Sequence, residues 1–138
     1  MAGLVCYYNG EKFHCLYISF DEELGKHIRV MSCLPDRAQS NVFSEPVPIP
    51  ANKPLILRAE MDYERLLFAF KFGDSDWQWL PGSFDASALA DEAGPQTNPN
   101  FTGAFIGMCC QDMSGEGRYA DFDYFSYRER EYLASPEL

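Results

Sequence analysis

The sequence points to an all-β protein, an antiparallel sandwich, on three grounds: aromatic residues fill 15% of its positions, apolar residues alternate with period two, and short turn signals separate the alternating runs. Eleven Phe, eight Tyr and two Trp carry the aromatic content. Such side chains fit the pleated, half-buried face of a sheet better than a helix surface. Period-two alternation places successive side chains on opposite faces, as a strand with one dry and one wet face requires. Many short strands with turns between them and few helices are the pattern of an antiparallel sandwich or barrel.

The first two strands are expected over residues 4–8 and 12–20, joined at Asn9-Gly10, a dipeptide that favours the tight turn of a hairpin. A third follows over 27–33. The clearest alternation lies over 55–62, where Leu55, Leu57, Ala59 and Met61 share one face and Ile56, Arg58, Glu60 and Asp62 the other. The next run sets Leu66, Phe68, Phe70 and Phe72 against Arg65, Leu67, Ala69 and Lys71. The link at 62–64 is too short for a parallel crossover, so these two strands form a hairpin. The turn Gly73-Asp74-Ser75-Asp76 leads to a strand over 77–80. The last two strands are expected over 101–111 and 119–127, separated by the glycine-rich turn at 114–117. Residues 35–41, 46–54 and 91–100 read as loops, and 83–89 can hold one helical turn with Asp85 as its cap. Residues 1–138 are expected to form a single sandwich domain, with 129–138 as a tail.

Charge and composition narrow the function. A formal net charge of −10 disfavours nucleic acid and anionic membrane surfaces, which draw affinity from Lys and Arg clusters. No apolar stretch reaches 18 residues, and the first residues do not read as a signal peptide. Cys6, Cys15, Cys33, Cys109 and Cys110 are odd in number and lack CxxC spacing, so they are expected as free thiols, buried like small hydrophobes, in a reducing, cytoplasmic compartment. Only His14 and His27 could add imidazole to a metal site, and neither has a ligand spacing, so no metal and no cofactor is expected.

Catalytic chemistry finds little to work with. Carboxylates occur in pairs, Asp74 with Asp76 and Asp121 with Asp123; the first pair lies in a hairpin turn, and the second, two apart on a strand face, could in principle converge on a sugar but fits a solvated face better. No GxSxG elbow or glycine-rich phosphate loop is present. No catalytic residue is therefore assigned. Trp77 and Trp79, two apart, could form a platform on which sugar rings stack, although packing over the core is the expectation favoured here.

Four segments carry a resemblance: AGLVCYYN at the start, LRAEMDYERLLFAF in the middle, and FTGAFIGMCCQDMSG followed by ADFDYFSYRE near the end. Together, in order and over nearly the whole chain, they resemble the C-terminal concanavalin-like sandwich domain of family 43 glycoside hydrolases of the β-xylosidase type. That resemblance implies a concanavalin A-like, jelly-roll sandwich lacking its first strands, because the strand like AGLVCYY lies well inside the family's domain. It further implies that catalysis belongs to a separate five-bladed β-propeller partner, whose carboxylates cannot be carried over to this chain. The expected role is that of a non-catalytic accessory domain in xylan degradation, supporting the propeller's fold and oligomerisation and meeting xylo-oligosaccharide only indirectly. In the family a loop Phe helps close the propeller's substrate pocket, and Phe101 is the matching residue. A truncated sandwich is expected to form a homo-oligomer. The alternative is a stand-alone carbohydrate-binding module.

Overall fold

The structure is a computed structural model that describes residues 1–34, 41–93 and 103–129. Ten strands are seen among these residues: β1 (Ala2–Asn9), β2 (Lys12–Asp21), β3 (Gly25–Cys33), β4 (Val42–Phe43), β5 (Val47–Pro48), β6 (Leu55–Asp62), β7 (Arg65–Phe72), β8 (Gln78–Trp79), β9 (Phe84–Asp85) and β10 (Phe105–Cys110). One sheet runs in the order β10-β1-β2-β3-β4, with β5 also pairing with β3; the other runs β6-β7-β8, with β9 also pairing with β7. All pairings are antiparallel.

The turns are set by side chains that satisfy local backbone donors. The Asn9 side-chain oxygen accepts from the Glu11 N–H at 2.8 Å, closing the β1–β2 hairpin as the Asn9-Gly10 signal predicts. Asp21 does the same between β2 and β3, accepting from the Glu23 and Leu24 N–H groups at 3.0 and 2.6 Å. Gly25 then takes a φ of 67°, which suits a residue without Cβ. The β6–β7 hairpin forms as expected, and its register sets Arg58 opposite Ala69 and Glu60 opposite Leu67. Asp85 caps a 3-10 turn over Ala86–Leu89, its carboxylate accepting from the Ser87 N–H, as the sequence predicts.

The core lies between the two sheets. Cys6, Tyr8, Leu16, Ile28 and Val30 come from the first sheet and meet Leu66, Phe68 and Phe70 of the second, with Leu80 and Leu89 closing one end. Leu55, Leu57, Ala59 and Met61 pack against that cluster from β6, so the predicted facing of both hairpin strands holds. Phe68 meets Phe84 edge-on with ring centroids 5.2 Å apart.

Several expectations are corrected. Residues 46–54 were expected as a loop, yet Val47 and Pro48 pair with Ile28 and His27. Pro48 is tolerated because β5 is an edge, where a missing N–H leaves no ladder bond unmade. Ser44 links β4 to β5: its N–H donates to the Val30 carbonyl, and its Oγ accepts from the Val30 N–H, both at 2.9 Å. Within the strand expected over 101–111, the described ladder spans Phe105–Cys110; residues 101 and 102 lie outside the described residues. The larger correction concerns 119–127, which forms no strand. As a strand it would put Phe122 and Tyr124 on one face and Phe125 and Tyr127 on the other, and a strand also needs a neighbour to exchange N–H and C=O groups. Instead the Asp112 carboxylate gathers the N–H groups of Ser114, Gly117 and Arg118 at 2.9, 2.8 and 3.1 Å and turns the chain away from β10. The Ser114 hydroxyl, donating to the same carboxylate at 2.6 Å, and then those N–H groups hold the Asp112 carboxyl well below the usual carboxylate range.

Candidate functional site

Hydrogen bonding leaves one side of the sandwich open. Among the described residues β6 pairs with β7 alone in the second sheet and β10 with β1 alone in the first, so each has one edge without a ladder partner there. A cleft of about 1040 Å³ is lined by residues 56–62 of β6 and by the stretch 124–129. Leu4, Trp77 and Ile106 line it too. Tyr124, Phe125 and Tyr127 are exposed along it, Tyr124 and Tyr127 each at 63%. A strand edge that lacks a ladder partner among the described residues therefore lies beside solvent-facing aromatics.

Beside this edge stands a cation–aromatic cluster. The hairpin register puts Arg58, Ala69 and Trp79 in one row across β6, β7 and β8. Ala69 is small, so the Arg58 guanidinium reaches across it to lie 5.8 Å from the Trp79 ring centre and 5.0 Å from that of Trp77. The Lys71 ammonium sits 5.1 Å from the Trp77 ring centre, and Glu60 pairs with Arg58. The expected packing of both indoles over the core is therefore corrected: Trp79 is 47% exposed and Trp77 half-buried on the outer face. The structure does bring the two together, through Arg58, a residue that sequence reasoning did not single out. The signal was available in the short link at 62–64, which fixes Arg58 opposite Ala69 once the hairpin is accepted.

The other candidates are not assembled into a site. Asp74 and Asp76 sit in an exposed turn, and Asp121 and Asp123 lie on the exposed stretch that forms no strand. Among the described residues no three His, Cys, Asp or Glu side chains gather as metal ligands would. Phe101 lies outside the described residues. His14 is fully buried; its Nε2–H donates to the Asp85 carbonyl at 2.8 Å, leaving Nδ1 to accept from the Ser32 hydroxyl at 2.7 Å. Burial holds its pKa below the ordinary histidine value. All five cysteines are free, but the expectation that they are buried holds only for Cys6 and Cys15; Cys33 and Cys109 are half-buried and Cys110 is exposed. Burial pushes the Cys6 thiol up to about 12. The Cys15 and Cys109 thiols share a hydrogen bond that either sulfur can donate; sharing it pushes the Cys15 thiol up and holds the Cys109 thiol below its ordinary value.

Comparison with known proteins places this architecture. The sequence model of the family described as the beta xylosidase C-terminal concanavalin A-like domain matches residues 1–128. A beta-xylosidase of Bacillus subtilis is 35% identical over 134 residues, which cover 94% of this chain and 24% of that protein. A xylan 1,3-beta-xylosidase of a Vibrio species is 28% identical over 129 residues, again covering 24% of its length. Among solved structures, xylan beta-1,4-xylosidase from Bacillus halodurans superposes with a TM-score of 0.75 at 29% identity, covering 84% of this chain and 22% of that one. The chain thus spans about a quarter of the length of the relatives it matches, and the matched quarter is a domain apart from the catalytic one. Its residues, its antiparallel sheets and these matches agree: the chain belongs to the C-terminal concanavalin A-like domain family of the family 43 β-xylosidases.

Proposed function

We propose that this chain is an accessory domain that does no chemistry itself and serves a separate catalytic propeller in a xylan-degrading glycoside hydrolase. Its expected tasks are to support the propeller's fold, to take part in oligomerisation and to close one wall of the substrate pocket through Phe101. The observation that carries the reading is the family match over 1–128. The edges of β6 and β10, which have no ladder partner on one side among the described residues, and the cleft beside 124–129 support it as a surface that a larger assembly would cover. Five free cysteines support a reducing compartment, the cytoplasm.

The test uses a chromogenic xyloside. The purified chain alone should give no turnover, and robust turnover overturns the proposal. In a full-length enzyme carrying this domain, Phe101→Ala should lower kcat/KM on small xylosides while near-UV circular dichroism stays unchanged; full activity in that variant removes Phe101 from the reading.

A second reading, a stand-alone glycan-binding module, is favoured by one observation, the exposed Trp79 indole beside Trp77. Sugar rings stack on free aromatic faces, and here Arg58 already lies over both indoles. Calorimetric titration with xylobiose and longer xylo-oligosaccharides decides: binding lost in Trp79→Ala establishes the module, and its absence leaves the accessory role.

A further inference from the structure

On the face of the first sheet that points away from the core, two sulfurs meet. Cys15 on β2 and Cys109 on β10 have their Sγ atoms 3.4 Å apart although 94 residues separate them in sequence. Strand β1 runs between them: Cys109 stands opposite Gly3 and Cys15 opposite Val5. Gly3 carries no side chain, so nothing from β1 stands between the two thiols at that point.

The intervening strand decides what the pair can do. Adjacent strands lie about 4.8 Å apart and Cys15 and Cys109 flank β1, so their side chains must reach toward each other across it from Cα atoms roughly 9 Å apart. A disulfide needs Cα atoms about 4.4–6.8 Å apart and sulfurs at about 2.05 Å. Closing Cys15 onto Cys109 would have to compress the sheet across β1. Opening the pair costs far less, because each side chain then relaxes toward its own strand. A metal ion bonded to two thiolates at about 2.3 Å each holds the sulfurs at most about 4.6 Å apart. The geometry therefore resists a covalent S–S bond and suits an ion inserted between the sulfurs.

The surroundings select the kind of ion. Val5 and Met31 are the register neighbours of Cys15 on that face, and no third His, Cys, Asp or Glu side chain gathers with the pair among the described residues. Zinc takes four ligands in a structural site and would find two here. Soft thiolates select Cu(I), which accepts low coordination. We propose that Cys15 and Cys109 form a two-thiolate site for a soft monovalent cation of the Cu(I) or Ag(I) class. Binding is a simple exchange: the two S–H bonds break, two S–metal bonds form, two protons leave to solvent, and no oxidant or reductant takes part. Cys109 is half-buried and gives the ion its way in, whereas Cys15 is 3% exposed and shields it once bound.

The experiment uses the full chain under anaerobic conditions, with Cys33→Ser and Cys110→Ser removing the two other thiols that solvent reaches. Cu(I) is delivered from a colorimetric Cu(I) chelator, so that bound metal is read as bleaching of the chelate and as sulfur-to-metal charge-transfer absorption. The double variant should withdraw one equivalent of Cu(I). Adding Cys15→Ser or Cys109→Ser should each weaken binding at least tenfold, with circular dichroism showing an intact sheet. Because Cys15 is buried and its change could harm folding, Cys109→Ala is the deciding variant. The proposal is overturned if the double variant fails to compete for Cu(I), or if Cys109→Ala in the same background still takes one equivalent with unchanged affinity.

Discussion

His14 shows how a single buried residue ties the molecule together. It projects from β2, accepts from Ser32 on β3 and donates to the Asp85 carbonyl at the end of β9, so one imidazole links both sheets. Neutral imidazole satisfies both contacts, one nitrogen donating and the other accepting. Its depressed pKa has a thermodynamic sign. In the unfolded chain a histidine titrates near 6.5, so as pH falls through that value the unfolded state binds a proton that the folded state refuses. Stability is full above about pH 6.5 and declines below it until the lower folded-state value is passed, with a slope of at most about 1.4 kcal/mol per pH unit from this group. Urea unfolding at pH 7.5 and 5.5 should show this loss, and His14→Gln should be less stable at pH 7.5 yet lose less on acidification. An identical pH response in the variant would show that His14 is not the group responsible. The sequence exposed His14 only as a possible ligand, because its partners come from Ser32 and Asp85, far away in the chain.

At the scale of the elements, what could be read from sequence was whatever rested on local chemistry. The β1–β2 and β6–β7 hairpins follow from short links and alternation, and the Asp85 cap from side-chain chemistry next to a helical turn. Of the two-residue strands, β8 falls inside the run expected over 77–80, because the turn at 73–76 announces it, whereas β4, β5 and β9 pair with β3 or β7 over stretches too brief for any period to register. The stretch 119–127 misled in the opposite way: its aromatic content reads as a strand with Phe122 and Tyr124 on one face and Phe125 and Tyr127 on the other, but no partner strand bonds it among the described residues. The candidate site divides along the same line. Trp77 and Trp79 could be named from sequence, whereas the open β6 edge that flanks them depends on tertiary pairing. Close strand contact gives a further prediction. A Cβ on Gly3 would stand 2.0 Å from the Leu16 carbonyl oxygen and 2.7 Å from the Tyr17 Cα, both backbone atoms of β2. Gly3→Ala must push β1 away from β2, and overpacking of this kind costs roughly 1–3 kcal/mol or more. Gly107 on β10 has nothing within 4 Å of such a Cβ, so Gly107→Ala should be neutral or slightly stabilising. Denaturant midpoints for the two variants check this, and equal midpoints would show that the close approach at Gly3 carries no weight.

For the whole molecule, the distribution of covered and uncovered edges argues for association. β3 is flanked by β4 and β5, and β7 by β8 and β9, whereas β6 and β10 each have one edge without a ladder partner among the described residues. On β10, Phe105 and Met108 are 59% and 47% exposed, and Tyr124, Phe125 and Tyr127 stand beside the β6 edge. Unpaired edges flanked by apolar side chains are a template for further strand pairing, and folded proteins cover them. In a solution of this chain alone the available cover is a second copy, and a two-fold contact lets each exposed patch bury its equivalent. The isolated chain should therefore be a dimer or larger at low micromolar concentration, by light scattering coupled to size exclusion. Replacing Tyr124 and Tyr127 together with Lys should shift it toward monomer, since charged side chains at an edge oppose such pairing. Their exposure means that the folded chain loses little by the change, so circular dichroism should be preserved. A wild-type chain that stays monomeric and unfolds cooperatively would refute the association and show that the two sheets suffice with their edges open.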